Sequence, residues 1–198
     1  MITKEYAPVF PPQRQNRTLE GFTLHDANDV RGSACDINYF LTYFEAKTGN
    51  ARLPRRADIV SAEIKHVLPN VATFQLVFEA DGGLNDVVVL QMGSTLLDMY
   101  GELTGKSIFK CTDHEVSAQL FRTCGYCLEK RAPVVSTMET FSAEKPYLSA
   151  MVLLMPLSED GKLIDGGIAY LSISSWKLFS ALSPESRTKA VYRCRSKT

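Results

Sequence analysis

The chain holds no apolar run close to the ~18 residues that a membrane-spanning helix requires. Its longest apolar stretch, LSAMVLLMPL at 148–157, is short and carries a proline. The N-terminus, MITKEYAPVFPPQRQ, has no apolar centre of the kind a secretory signal needs. Net charge is missing as well, since 22 Lys and Arg balance 22 Asp and Glu. That balance removes any general electrostatic pull toward nucleic acid or an anionic membrane. Cysteine is scarce: Cys35, Cys111, Cys124, Cys127 and Cys194 are odd in number and irregular in spacing, unlike a disulfide framework. A cytoplasmic, reducing location is the expectation, and neither an internal repeat nor a low-complexity tract is present.

The 198 residues, 45% apolar and 22% charged, have the size and composition of one globular domain. Such a length supports a hydrophobic core without covalent staples. Residues 1–30, with Pro8, Pro11 and Pro12 among polar neighbours, read as an extended or flexible arm in which Phe22 and others still have the means to pack. The domain proper is expected over 31–176, and a short basic helix or tail over 177–198.

SACDINYFLTYFEAKTGN predicts a helix. Ser33 and Asp36 form a capping signal, Gly49 a stop, and Ile37, Phe40, Leu41 and Phe44 an apolar stripe at helical spacing. A short helix is expected between Ser61 and Pro69. The period then falls to two. VATFQLVFEA and DVVVLQMG read as strands around DGGLN, and helices are expected over 94–130. PVVSTMETFS, YLSAMVLLMPLS and DGGIAYLSISS read as three further strands, joined by the short AEKP and EDGKLI connections. Strands grouped in this way predict an α+β fold with an antiparallel sheet. In YLSAMVLLMPL both alternating faces are apolar, so the sheet must be covered on both sides. The mid-chain helices can cover one face; the 33–48 helix, or a partner subunit, must cover the other.

Several phrases look like chemistry. Cys124-Gly-Tyr-Cys127 has dithiol spacing, but it falls near the end of a helical pattern starting about Asp113. There the helix dipole raises a thiol pKa, whereas catalytic dithiols head a helix. A second cysteine pair for structural zinc is lacking. YGELTGKS ends like a phosphate loop, yet Tyr100 stands where the first glycine is required. HEVSA begins like a zincin helix, yet Ala118 stands at the second histidine position. His25, His66 and His114 are isolated in sequence. Arg55 and Arg56 in LPRR suit an anion site or, more simply, a solvated turn. SPESRTKAVYRCRSKT suits a basic helix touching a partner or a solvated tail.

The element order, with YFEAKTGNARLPRRADIVSAEIKHVLPNV, MGSTLLDMYGELTGKSI and LLMPLSEDGKLID, resembles a PAS domain. It is most similar to a bacterial PAS-like family long described only as a domain of unknown function, over about residues 33–175. None of these phrases is catalytic. The resemblance implies a five-stranded antiparallel sheet with short helices cupped over one face, a space for a small ligand between them, and a leading amphipathic helix. It also implies homodimerisation through that helix, by Ile37, Phe40, Leu41 and Phe44. In flavin photoreceptor members a cysteine lies three positions after the glycine of a Gly-Arg-Asn-Cys segment; GKSI puts Ile108 there, with Cys111 displaced. Haem-binding members need an axial histidine in the helix before the third strand, and only His114 is near. The cofactor is therefore left unassigned.

Apolar placement opposite the sheet marks Leu96, Tyr100, Phe109, Leu120 and Phe121 on the helices as ligand-cavity residues, with Phe74, Met138 and Met151 on the strands. The resulting expectation is a non-catalytic, stand-alone sensory or regulatory module that acts through a protein partner and has room for a small ligand. An interaction adaptor with a filled core, and a thiol oxidoreductase using Cys124 and Cys127, are the alternatives.

Overall fold

A computed structural model describes residues 22–31, 35–48, 53–138 and 148–175. The expectations for the chain before residue 22, for the AEKP connection and for the basic C-terminal segment lie outside these residues.

The elements in chain order are β1 (Phe22–Asp26), α1 (Cys35–Thr48), β2 (Val71–Phe78), β3 (Leu84–Met92), α2 (Ser94–Tyr100), α3 (His114–Lys130), β4 (Val134–Met138), β5 (Leu148–Leu157) and β6 (Gly166–Ser175). All six strands join one antiparallel sheet in the order β1-β4-β5-β6-β2-β3. The fold is α+β, with six strands where the sequence led us to expect five. The extra strand is β1, from the segment read as arm. Five residues are too few to show a period, and their partner lies more than a hundred residues away, with Phe22 opposite Met138 and Asp26 opposite Val134.

Both faces of the central strands are buried. On β5, Met151, Leu153, Met155 and Leu157 point to one side, while Ala150, Val152 and Leu154 point to the other. The first face is covered by α1. Ile37, Phe40, Leu41 and Phe44 are at most 3% exposed and share a core with that row. The Phe40 ring stacks on Tyr170 of β6 at 5.3 Å, and the Tyr170 hydroxyl donates to Asp36 Oδ2 at 3.0 Å. The helix is thus fixed by apolar burial along its length and by a polar contact in its first turn. The four residues expected to form a dimer contact are instead consumed within their own chain. The outward positions of α1 are Asp36, Tyr39, Thr42, Glu45 and Ala46.

The short helix expected after Ser61 is a run of turns. Glu63 N donates to Val60 O at 3.0 Å and Val67 N to Ile64 O at 3.0 Å, and a 3-10 turn covers Leu68–Asn70. Pro69 cannot sustain an α-helical ladder there. This segment is clamped to α1: Tyr39 donates its hydroxyl to Glu63 O at 2.6 Å, Val60 N donates to the Tyr43 hydroxyl at 2.8 Å, and Lys47 pairs with Glu63 at 2.7 Å. On the opposite face, α3 begins at Asp113, whose side chain accepts from Glu115 N and Val116 N, and ends at Arg131 in the left-handed region, φ 52°. Tyr126 of α3 donates to Asp26 at 3.0 Å, which ties the helix to the edge strand.

Truncating a fully buried phenylalanine removes its transfer free energy and leaves a cavity. Phe40→Ala is therefore expected to lower unfolding stability by about 3–5 kcal/mol. Thr42→Ala, on the exposed side of α1, should stay within about 0.5 kcal/mol. Urea unfolding checks both; a Phe40→Ala chain that changes oligomeric state but keeps its stability would overturn the assignment of this face.

Candidate ligand cavity

On the face opposite α1 the core divides into two clusters. One is built on Phe74, Leu76, Val134 and Leu154 beneath α3; the other on Leu96, Ala150 and Leu171 beneath α2. A cavity of about 110 Å³ lies among the sheet, α2 and α3. Its floor is made of small side chains. Ala72 stands opposite Ala169 across β2 and β6, Ser136 opposite Val152, and Met138 opposite Ala150. Where neighbouring strands present alanine and serine, the helices above cannot descend far enough to close the gap.

Four of the eight expected residues line this space: Leu96, Tyr100, Leu120 and Met138. Phe74, Phe109 and Phe121 are packed into the adjoining core. The Phe109 and Phe121 rings meet at 5.3 Å, and Phe74 lies over Gly167, where a Cβ would come within 2.5 Å of its ring. Met151 is a correction. It points to the α1 face, because residues of one strand alternate sides and its neighbours Ala150 and Val152 face the cavity. Size guided those choices, whereas the signal that locates the cavity is small residues at matching strand positions.

Sequence reasoning also missed the polar part of the wall. Ser117 is buried in α3 and donates to Ile108 O at 2.8 Å, Thr123 donates to Gln119 O at 2.8 Å, and the Gln119 amide meets the Met138 sulfur. Cys111 also lines the cavity, 3% exposed. Burial pushes its thiol pKa up, and burial pushes the Tyr100 hydroxyl well above its ordinary value, with further upward contributions from Cys111 and Asp113. Both groups are therefore neutral hydrogen-bonding groups at physiological pH.

The sequence motifs take other roles. Gly105 N donates to Val89 O at 2.8 Å and Val89 N to Lys106 O at 3.0 Å, while the Ser107 hydroxyl donates to Asp86 at 2.7 Å. TGKS is a strap along the edge strand β3, with the amides of Thr104, Gly105 and Lys106 already used. Cys124 and Cys127 are 1% and 2% exposed in the C-terminal half of α3, and burial drives both thiols well above their usual range. His114 is exposed at the first residue of α3 and does not line the cavity. No group of three His, Cys, Asp or Glu placed to hold a metal occurs among the described residues. Nor is any helix among them long and apolar enough to cross a membrane.

The architecture is thus a helix-roofed antiparallel sheet with an internal hollow. A family model described as PAS domain matches residues 35–166. The chain belongs to the PAS domain family. No curated protein and no solved structure matches it.

The buried thiols give a pH signature. Their folded pKa values lie above the unfolded value of ~8.5, so the unfolded chain loses protons first as pH rises. The contribution of these thiols to stability is complete below about pH 8.5 and is lost above it, which thermal melts between pH 7 and 10 will show. The Cys127→Ala variant is expected to have a shallower decline; an identical slope in both proteins would contradict the buried neutral thiol.

Proposed function

We propose that this PAS domain is a non-catalytic sensor whose cavity accepts one small apolar molecule and whose output passes to a protein partner. PAS domains are sensory and regulatory modules in general. The finer reading is supported by one observation: a hollow of about 110 Å³, floored by Ala72, Ala150 and Ala169, beneath two helices. This is below the ~300 Å³ of typical drug-sized pockets, and closer to engineered apolar cavities of about 150 Å³ that take benzene. A single-ring or short-chain apolar compound fits that scale, with Leu96, Tyr100, Leu120 and Met138 as its contacts and Tyr100 and Gln119 as polar neighbours.

The non-catalytic part of the reading rests on the dithiol, whose thiolates are suppressed by burial. An adaptor with a filled core is the competing account, and a single variant separates the two. Ala150→Phe places a ring in the hollow. Toluene at a hundredfold excess over its Kd is expected to stabilise the native protein by about 2.7 kcal/mol and to leave Ala150→Phe unchanged. Calorimetric melts with native mass spectrometry of both proteins provide the check. If toluene has no effect on the unsubstituted protein, the cavity is not a ligand site and the adaptor reading stands.

A further inference from the structure

The opposite face of the sheet carries a second and larger hollow, about 440 Å³, between the turns at 56–68 and the strands β2, β3 and β6. Its floor is apolar and well buried: Ile64, Leu157 and Ile168 are 1% exposed and Val71 is 5%. Its rim is polar, with Ser61, Thr73, Gln91 and Thr104. Among the described residues Arg56 is the one charged residue that lines it, and no Asp or Glu does. Volume, apolar floor and a few convergent polar groups are the features of a small-molecule site, and among the described residues the charge that lines this one is positive.

Arg56 is held over this hollow by its surroundings. Its guanidinium lies against Gly166, the first residue of β6, where a Cβ would come within 2.9 Å of Nη2. Any side chain at that position would lift it away. The segment carrying Arg56 is itself pinned, with Ser158 N donating to Pro54 O at 3.0 Å. The partner of Arg56 is weak: Nε lies 3.6 Å from Glu159 Oε1, and that carboxylate is 63% exposed. Such an exposed pair is worth little and yields readily to a better acceptor. A carboxylate ligand offers the two-oxygen face that a guanidinium fork matches best, while its apolar body displaces water from Ile64, Leu157 and Ile168.

We propose that this hollow binds a small carboxylate with an apolar body, the carboxylate on Arg56 and the body on the floor between β2 and the turns at 56–68. The site lies on the other side of the sheet from the cavity described above, and neither proposal needs the other.

Octanoate is the probe, titrated into the full chain below its micelle concentration while backbone amide resonances are followed. Saturable shifts are expected at Arg56, Ser61, Thr73 and Gln91, with none from octylammonium over the same range. Arg56→Gln should weaken octanoate by about tenfold or more, the scale of losing a charged hydrogen bond, with its amide spectrum otherwise native. Glu159→Gln tests the same contact from the other side. Freed of its competitor, Arg56 should bind octanoate tighter, by about twofold to fivefold. Shifts confined to Leu96 and Leu120, equal response to octylammonium, no saturable response, or a Glu159→Gln protein that binds more weakly would each overturn the assignment.

Discussion

A sheet whose central strands are apolar on both faces has to be covered twice, and everything else in this chain follows from how the two covers are supplied. Exposed, either row of β5 would present a contiguous apolar surface of the kind that drives association. The row Met151, Leu153, Met155 and Leu157 is covered from the N-terminal side by α1, whose four buried side chains mesh with it. The row Ala150, Val152 and Leu154 is covered from within, by the chain between β3 and β4. The two covers differ in quality. Beneath α1 the side chains are large on both partners. Beneath α2 and α3 the floor is small, and a hollow remains.

Gly93 fixes where the roof begins. A Cβ there would come within 2.1 Å of Leu68 O and 2.3 Å of Pro69 O, so only glycine lets β3 turn into α2 against the 3-10 turn. Met92, the residue before it, lines both hollows. Its flexible thioether, adaptable to irregular space, is among the described residues the one side chain shared by the two hollows, at the junction of sheet and roof.

Much of the fold was legible because period and punctuation agree. The stripe Ile37, Phe40, Leu41 and Phe44 repeats at helical spacing, and the strand pairs alternate between turn signals, so the helix, the strands and the family resemblance could be read directly. What escaped has physical reasons. β1 is too short to carry a period, and its pairing with β4 is a long-range event. The turns after Ser61 contain helix-forming residues, but tertiary contacts at Ile64 and Val67 and the break at Pro69 decide their shape. Which apolar residues face the cavity could not follow from size. On a strand buried on both sides, hydrophobicity cannot tell Met151 from Ala150; only the register can, by placing Ala72 beside Ala169 and Met138 beside Ala150.

The phrases that carry the resemblance prove to be joints. LPRRAD and PLSEDGKLID lie far apart in sequence yet meet where Ser158 N reaches Pro54 O and Arg56 faces Glu159. Within the second phrase Asp160 accepts from Lys162 N at 2.7 Å, Leu163 N at 2.8 Å and the Ser158 hydroxyl at 2.9 Å, which shapes the β5–β6 turn and holds the Asp160 carboxyl below its ordinary pKa. GELTGKS forms the strap over the edge of β3, which blunts an otherwise open ladder. Residues with such duties are fixed by backbone geometry, whereas those lining a hollow are constrained only by volume and polarity. The frame, not the hollow, is therefore what a sequence of this kind displays most clearly.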